Sequence, residues 1–284
     1  MRTKIKNIIS LTRLNKPIGI FLLLWPTLWA LWLAAEGKPD LKIVFIFVVG
    51  VVLMRSAGCV MNDIADRDRD RHVSRTRERP LALKKINIKT AIYVLCGLLF
   101  ASFYLVLKLN SFTTFLSFVG IFLAAIYPLL KRVTHLPQLG LGVAFSWGIP
   151  MAFAAEQNAL PFSCWMLFLT SMVWPVIYDT FYAMADRADD KKIGVKSSAI
   201  LFGKYDRLII ALLQILFLIL FVVTGKIFSL QWPFYLSLII AGIFFIYQQW
   251  LVKERDPKKC FDAFINNHWV GLVIFIGIAS SYFA

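Results

Sequence analysis

Two clusters of carboxylates interrupt an otherwise apolar chain. The first is Asn62-Asp63-Ile64-Ala65-Asp66-Arg67-Asp68-Arg69-Asp70; the second holds Tyr178, Asp179 and Tyr182, then Ala185-Asp186-Arg187-Ala188-Asp189-Asp190. On a helix Asn62, Asp66 and Asp70 step by four and share a face, with Asp63 one position round. Asp179, Asp186 and Asp190 share a face at spacings of seven and four, and Tyr182 lies on the same stripe. The clusters register at a constant offset of 120 residues: Ala65 with Ala185, Asp66 with Asp186, Arg67 with Arg187, Asp70 with Asp190. Two like-charged columns facing each other repel unless cations lie between them. Hard divalent ions, Mg²⁺ above all, bridge such carboxylates to phosphate oxygens.

Side-chain cations surround the columns. Arg55 lies seven residues before Asn62, two helical turns deeper on the same face. Arg75, Arg77 and Arg79 follow the first column, Lys131 and Arg132 end an apolar run, and Lys191, Lys192 and Lys196 follow the second column. Carboxylates that hold metal, with Lys and Arg nearby, suit a diphosphate. A lone DxxxD run commonly just faces water. Two in register, each rooted in an apolar segment, put ionisable groups at membrane depth, where they are costly and mark function. His72, His135 and His268 are scattered and fit no metal spacing, and no GxSxG elbow, P-loop or GxGxxG is present.

The elements that must position these residues are membrane helices. The 284 residues are 59% hydrophobic and 17% charged, with mean hydropathy +0.71, against ~45–50% and ~25% in soluble domains. That excludes soluble, disordered and collagen-like classes. Apolar runs near the membrane-crossing length recur nine times, at 17–35, 41–62, 91–108, 111–130, 139–155, 161–183, 208–225, 227–252 and 268–284. The first follows a basic tail but is longer than a signal-peptide core and is succeeded by further spans, so it reads as a helix. The expected fold is all-α, a polytopic membrane bundle of nine transmembrane helices around a central cavity. One domain covers 1–284, with parallel pseudo-repeats at about 17–130 and 139–252 and a last helix at 268–284. Long polar loops are expected at 63–90, 184–207 and 253–267, and kinks at Pro26, Pro128, Pro150 and Pro175. Cys59, Cys96, Cys164 and Cys260 form no CxxC pair and read as buried hydrophobes.

The net charge is +15 with a pI near 9.8. No soluble domain exists to present a nucleic-acid surface, so the basic balance reads as positive-inside loops. Only Lys38, Lys42, Lys108 and Lys226 of the 31 Lys and Arg fall on the short-turn side. That bias puts the N-terminus and all long loops in the cytoplasm and the C-terminus outside.

The stretch Leu53-Met54-Arg55-Ser56-Ala57-Gly58-Cys59-Val60-Met61-Asn62-Asp63, running into Asp66 and Asp70, resembles the signature of UbiA-type aromatic prenyltransferases. So does Tyr178-Asp179-Thr180 through Asp190. The resemblance extends to Arg13, Lys16-Pro17-Ile18-Gly19, Arg79-Pro80-Leu81, Tyr127-Pro128-Leu129-Leu130-Lys131-Arg132, the Trp147–Ala155 segment and Lys196-Ser197-Ser198-Ala199. It covers nearly the whole chain and points to the bacterial branch acting on 4-hydroxybenzoate in ubiquinone synthesis. Arg67-Asp68-Arg69 is unusually crowded for the family, but removes no ligand.

The resemblance implies transfer of a polyprenyl group from polyprenyl diphosphate to the ring carbon beside the hydroxyl of 4-hydroxybenzoate. It implies Mg²⁺ and diphosphate held by Asn62, Asp63, Asp66 and Asp70, with Asp186 and Asp190 as metal partners. Arg132 is the implied acceptor-side cation, and Asp186 or Asp179 the group that meets the hydroxyl or takes the displaced proton. Arg55, Tyr127, Lys131, Tyr178 and Tyr182 are implied substrate contacts. The setting is the bacterial inner membrane, with the prenyl tail in a channel open to the lipid bilayer and no nucleic acid or obligate protein partner. Naphthoate, homogentisate or haem acceptors use the same motifs. A CDP-alcohol phosphotransferase would show D-G-x-x-A-R, which is absent. A two-repeat transporter would place its site near the bilayer midplane, whereas these carboxylates cluster at the boundary.

Overall fold

The computed structural model describes residues 2–71, 76–194 and 196–284; the side chains of Arg2, Thr3, Arg69, Lys131, Arg132 and Ile193 fall outside that description, as do His72 and Arg75 entirely. The helices are α1 (Arg2–Leu11), α2 (Ile18–Ala34), α3 (Leu41–Asp70), α4 (Ile88–Val106), α5 (Ser111–Val133), α6 (Pro137–Ser146), α7 (Gly148–Gln157), α8 (Phe162–Ile193), α9 (Ser198–Phe202), α10 (Asp206–Ile227), α11 (Trp232–Leu251) and α12 (Pro257–Ser281). No strand occurs among the described residues. Eight segments are long and apolar enough to cross a membrane, with α6–α7 forming one of them. α2 is an apolar helix of 17 residues, roughly 25 Å long. Counting it, nine segments of the described chain fit the expected crossings, and the protein is an integral multi-pass membrane protein.

The core is built on α2 and α8, whose aromatic side chains meet those of α10. Trp29 is fully buried, donates its indole N–H to the Gly271 carbonyl at 3.0 Å and lies 5.3 Å from the Trp174 ring. Gly271 permits this, because a Cβ there would stand 2.6 Å from Trp174. Lipid offers no hydrophobic drive for helix association, so buried polar pairs act as glue, each worth about 0.6 kcal/mol. Ser146 donates to Ser171 at 2.8 Å, Gln214 to Gln248 at 3.0 Å, and Gln248 to Asn266 at 2.9 Å.

Four boundaries differ from the sequence expectation. α3 and α8 do not stop at the membrane edge but run on through both acidic clusters, at 30 and 32 residues. The last helix begins at Pro257 rather than 268, so most of the expected 253–267 loop is helical. Its apolar run starts late, but Asp256 caps it by accepting from the Lys259 N–H at 2.9 Å, with Pro257 in the first turn. The fifth span is broken at Trp147 between α6 and α7. Pro150 has no N–H to give the Ser146 carbonyl, so the ladder fails there.

Candidate active site

Continuing α3 through the first cluster sorts its carboxylates by angle. Asp63 and Asp70 stand about 20° apart around the axis, and both turn toward α1 and the segment before α4. There they are buried, 1% and 6% exposed. Arg13 donates to both Asp63 oxygens at 2.8 and 2.9 Å. Arg79 Nη1 lies 3.1 Å from Asp63 and 2.8 Å from Asp70. Burial lifts the Asp70 carboxyl above the ordinary carboxylate range despite Arg79 beside it. Neither Arg13 nor Arg79 is linked to a carboxylate by any spacing rule, since Arg13 lies 50 residues from its partner.

Asn62 and Asp66 line a cavity of about 650 Å³ that Asp63 also borders, enclosed mainly by α2, α3, α4 and α5, with α8 adding three side chains. Its polar end carries Arg13, Asn62, Asp66 and Arg79; Arg55, Tyr127, Tyr178, Asp179 and Tyr182 lie along it, and Leu99, Phe103, Leu109 and Ile121 make the far wall apolar. α4 packs closely along α3 but only lightly against α5, and the outer faces of both carry exposed aromatics such as Phe100, Tyr104, Phe118 and Phe122.

Arg55 occupies the space that a side chain at position 19 would take: a Cβ on Gly19 would collide with its guanidinium. Arg55 Nη1 donates to Cys59 Sγ at 3.2 Å, and the guanidinium lies 5.6 Å from the centre of the Phe145 ring. Its Nε, the Tyr178 hydroxyl and Asn62 Oδ1 are buried without hydrogen-bond partners within the protein. Buried donors and acceptors left unmatched are costly. The first two suit an anion and the last a cation.

Among the sequence-expected residues, Arg55, Asn62, Asp63, Asp66, Tyr127, Tyr178, Asp179 and Tyr182 come together on this cavity. Asp70 sits behind it, held by Arg79. Asp186 and Asp190 continue along α8 beyond Tyr182, by about 6 and 12 Å, and are half-buried outside the lining. Lys131 and Arg132 belong to the last turn of α5; their side chains lie outside the described ones. A further ion cluster lies beside the second motif: Asp206, fully buried, pairs with Arg187 and with Arg255, the latter at 2.9 Å.

Among the described residues no three carboxylate, His or Cys side chains form one metal-holding group. Mg²⁺ is commonly held by only one or two carboxylates plus substrate phosphates. The pair Asp66 and Asn62, with its unmatched oxygen, fits an ion completed by a diphosphate.

The description of the UbiA prenyltransferase family matches residues 23–272 of this chain. The 4-hydroxybenzoate octaprenyltransferase of Ectopseudomonas mendocina (strain ymp) is 57% identical over 274 residues, covering 96% of this chain and 93% of its own. The apo structure of a UbiA homolog from Aeropyrum pernix K1 superposes with a TM-score of 0.80 at 24% identity, over 92% of this chain and 96% of that one. A UbiA homolog from Archaeoglobus fulgidus bound to GPP and Mg²⁺ gives 0.77 at 13% identity, over 97% and 99%.

Proposed function

This chain belongs to the UbiA prenyltransferase family, and on that premise we propose that it transfers a polyprenyl group from polyprenyl diphosphate to the ring carbon of 4-hydroxybenzoate beside the hydroxyl, releasing diphosphate, in ubiquinone biosynthesis. The observation that carries the reading is one cavity joining Asn62 and Asp66, a buried Arg55 with an unmatched Nε, and an apolar far wall. Those three parts match a metal-bound diphosphate, an aromatic carboxylate and a prenyl chain. The relative at 57% identity is a 4-hydroxybenzoate octaprenyltransferase.

When bound, a divalent cation supplies charge that offsets the departing diphosphate; Asn62 and Asp66 would hold it, with Asp186 and Asp190 toward the mouth. Arg13 and Arg79, paired with Asp63 and Asp70, line the same end of the cavity. The acceptor's carboxylate needs a cation in this low-dielectric space. Arg55 is supported for that role by its depth and its unmatched Nε; Arg132, at the end of α5, is the alternative. Asp179 lines the cavity beside Tyr178 and would accept the proton the ring gives up, with Asp186 about two turns further along α8, outside the lining, as the alternative. The apolar wall excludes water, which would quench an allylic cation. The long chain leaves through the light contact between α4 and α5 into lipid. The residue roles and the cytoplasmic placement of the motif end in a bacterial inner membrane belong to this same proposal.

The test is product formation. Purified protein in lipid vesicles with Mg²⁺, polyprenyl diphosphate and labelled 4-hydroxybenzoate should yield a lipid-extractable labelled product. No product, or product with homogentisate or naphthoate instead, overturns the assignment of acceptor.

A further inference from the structure

α1 presents three different sides. Ile8 and Leu11 pack inward against Val60, Leu81, Ile86 and Ala91. Ile5 and Ile9, one turn apart, point outward at 49% and 39% exposure, and Leu14 beyond them is 46% exposed. Lys4 and Lys6 are exposed as well. No acidic residue precedes Glu36 in the chain, so Arg2, Lys4 and Lys6 carry charge with no local partner in sequence. A helix with outward isoleucines and a basic flank is the type that lies in the headgroup layer of a membrane.

The far end of α1 reaches the cavity. Arg13 has a left-handed backbone, φ +59°, which few non-glycine residues adopt. The chain turns sharply there, and the guanidinium swings back to grip Asp63 while its Nη1 donates to the Ser10 carbonyl at 2.6 Å. Arg13 is thereby clipped to the last turn of α1 and to the aspartate helix at once. The pose of α1 sets where this cation stands relative to Asn62 and Asp66.

We propose that α1 is a membrane-surface helix that docks on anionic lipid headgroups, and that this docking, relayed by Arg13, sets how well the aspartate site takes the prenyl diphosphate. The bilayer supplies the partner: the isoleucines enter the acyl boundary while the lysines meet phosphate, each adding about fivefold to docking. The relay to the site rests on the prenyl-transfer reading; the docking itself does not.

The experiment uses the full chain in nanodiscs of phosphatidylcholine alone and with phosphatidylglycerol added. Amide hydrogen exchange of residues 2–11 is followed together with KM for the prenyl diphosphate. Exchange should slow roughly tenfold in anionic discs, KM should fall, and the double variant Lys4→Gln/Lys6→Gln should lose both gains while matching the wild type in neutral discs. Equal exchange in both discs, or a gain that survives in the variant, overturns the docking. So does equal protection from soluble diphosphate in neutral discs, or protection only where a disc holds two copies. Slower exchange with an unchanged KM overturns the relay. Lipid-dependent exchange without any prenyl product sinks the prenyl-transfer reading and leaves the docking standing.

Discussion

Arg13 and Asp63, fifty residues apart, meet through two bonds of 2.8 and 2.9 Å at the polar end of the cavity. Asp63 is 1% exposed, and Arg79 approaches the same carboxylate at 3.1 Å. A buried carboxylate with two arginines is satisfied without metal. Two cations are thus stored within reach of the site that would receive a diphosphate.

Removing one of those cations should therefore cost stability as well as turnover. Arg13→Ala strips Asp63 of the Nη2 that serves both its oxygens, and breaking such a buried pair costs about 3 kcal/mol. Thermal unfolding in detergent should show a lower Tm for Arg13→Ala. The double variant Arg13→Ala/Asp63→Asn should regain much of that Tm, because no uncompensated charge is left, yet stay poorly active. An unchanged Tm in the single variant would mean that Arg79 alone satisfies Asp63.

The first acidic column separates fold from chemistry, and the separation can be read by substitution. Asp66 lines the cavity and is half-buried, whereas Asp70 is buried behind it on Arg79. Asp66→Asn should lose roughly a hundredfold in turnover with Tm intact, and Asp190→Asn should do likewise. Asp70→Asn should also lower Tm, since Arg79 loses its shorter partner. Full activity of the unsubstituted protein in a chelator would refute metal-assisted loss of diphosphate.

Much of this was legible in the sequence, for reasons that can be named. Apolar runs of membrane length locate the helices, because every backbone group must be satisfied within the segment. Helical periodicity alone relates Asn62 to Asp66, but the same four-residue step carried on to Asp70 misleads, because Asp70 sits behind the cavity on Arg79. The cues fail where position depends on distant chain. Asp63 and Asp66 are both acidic members of one cluster that borders the cavity, and only the folded neighbours Arg13 and Arg79 decide that Asp63 is the one buried against arginine. Arg187, in register with Arg67, takes a different partner: Arg67 pairs with exposed Asp68 at 3.3 Å, whereas Arg187 is bound to buried Asp206. The early start of α12 was hidden because Lys258, Lys259 and Asp262 break the apolar pattern that marks a span.

The Asp206 cluster ties the second motif to the rest of the bundle and should be needed for stability. Arg187 from α8 and Arg255 from the turn before α12 both close on this carboxylate. Asp206→Ala would leave two arginines facing each other. A drop in Tm is expected, with loss on the order of 3 kcal/mol. Arg255→Lys should fall less, since Lys keeps the charge but loses the fork. A Tm equal to wild type in Asp206→Ala would show that solvent already compensates the pair.

Orientation has its own readout. The charge bias leads us to expect the acidic clusters in the cytoplasm, and Glu36 lies in the turn between α2 and α3, at the other end of both helices. Single cysteines at Glu36 and Asp68, in a background lacking the native cysteines, should react with impermeant thiol reagents from opposite faces of the membrane. Labelling of both from one side would sink the topology and with it the facing of the two columns.

The acceptor's carboxylate provides the last test, because two arginines compete for it. Arg55 is the deeper one. Its guanidinium fills the space that Gly19 leaves, leans on Cys59 and Phe145, and keeps a buried Nε with no partner. A guanidinium held by three neighbours is already oriented, so little is lost when it takes a carboxylate through parallel hydrogen bonds. Arg132 ends α5 nearer the polar boundary, where a phosphate is the more natural partner. Arg55→Ala should therefore raise KM for 4-hydroxybenzoate by about tenfold or more, the range for a lost charged hydrogen bond, and leave KM for the prenyl diphosphate nearly unchanged. Arg55→Lys should recover only part of that loss, since an ammonium cannot make the planar fork. Gly19→Ala should mimic the effect more weakly, because the new methyl displaces the guanidinium without removing it. Steady-state kinetics with each substrate varied in turn decides the case: if Arg132→Ala alone raises the 4-hydroxybenzoate KM, the acceptor's carboxylate sits at the end of α5, and Arg55 belongs to the diphosphate.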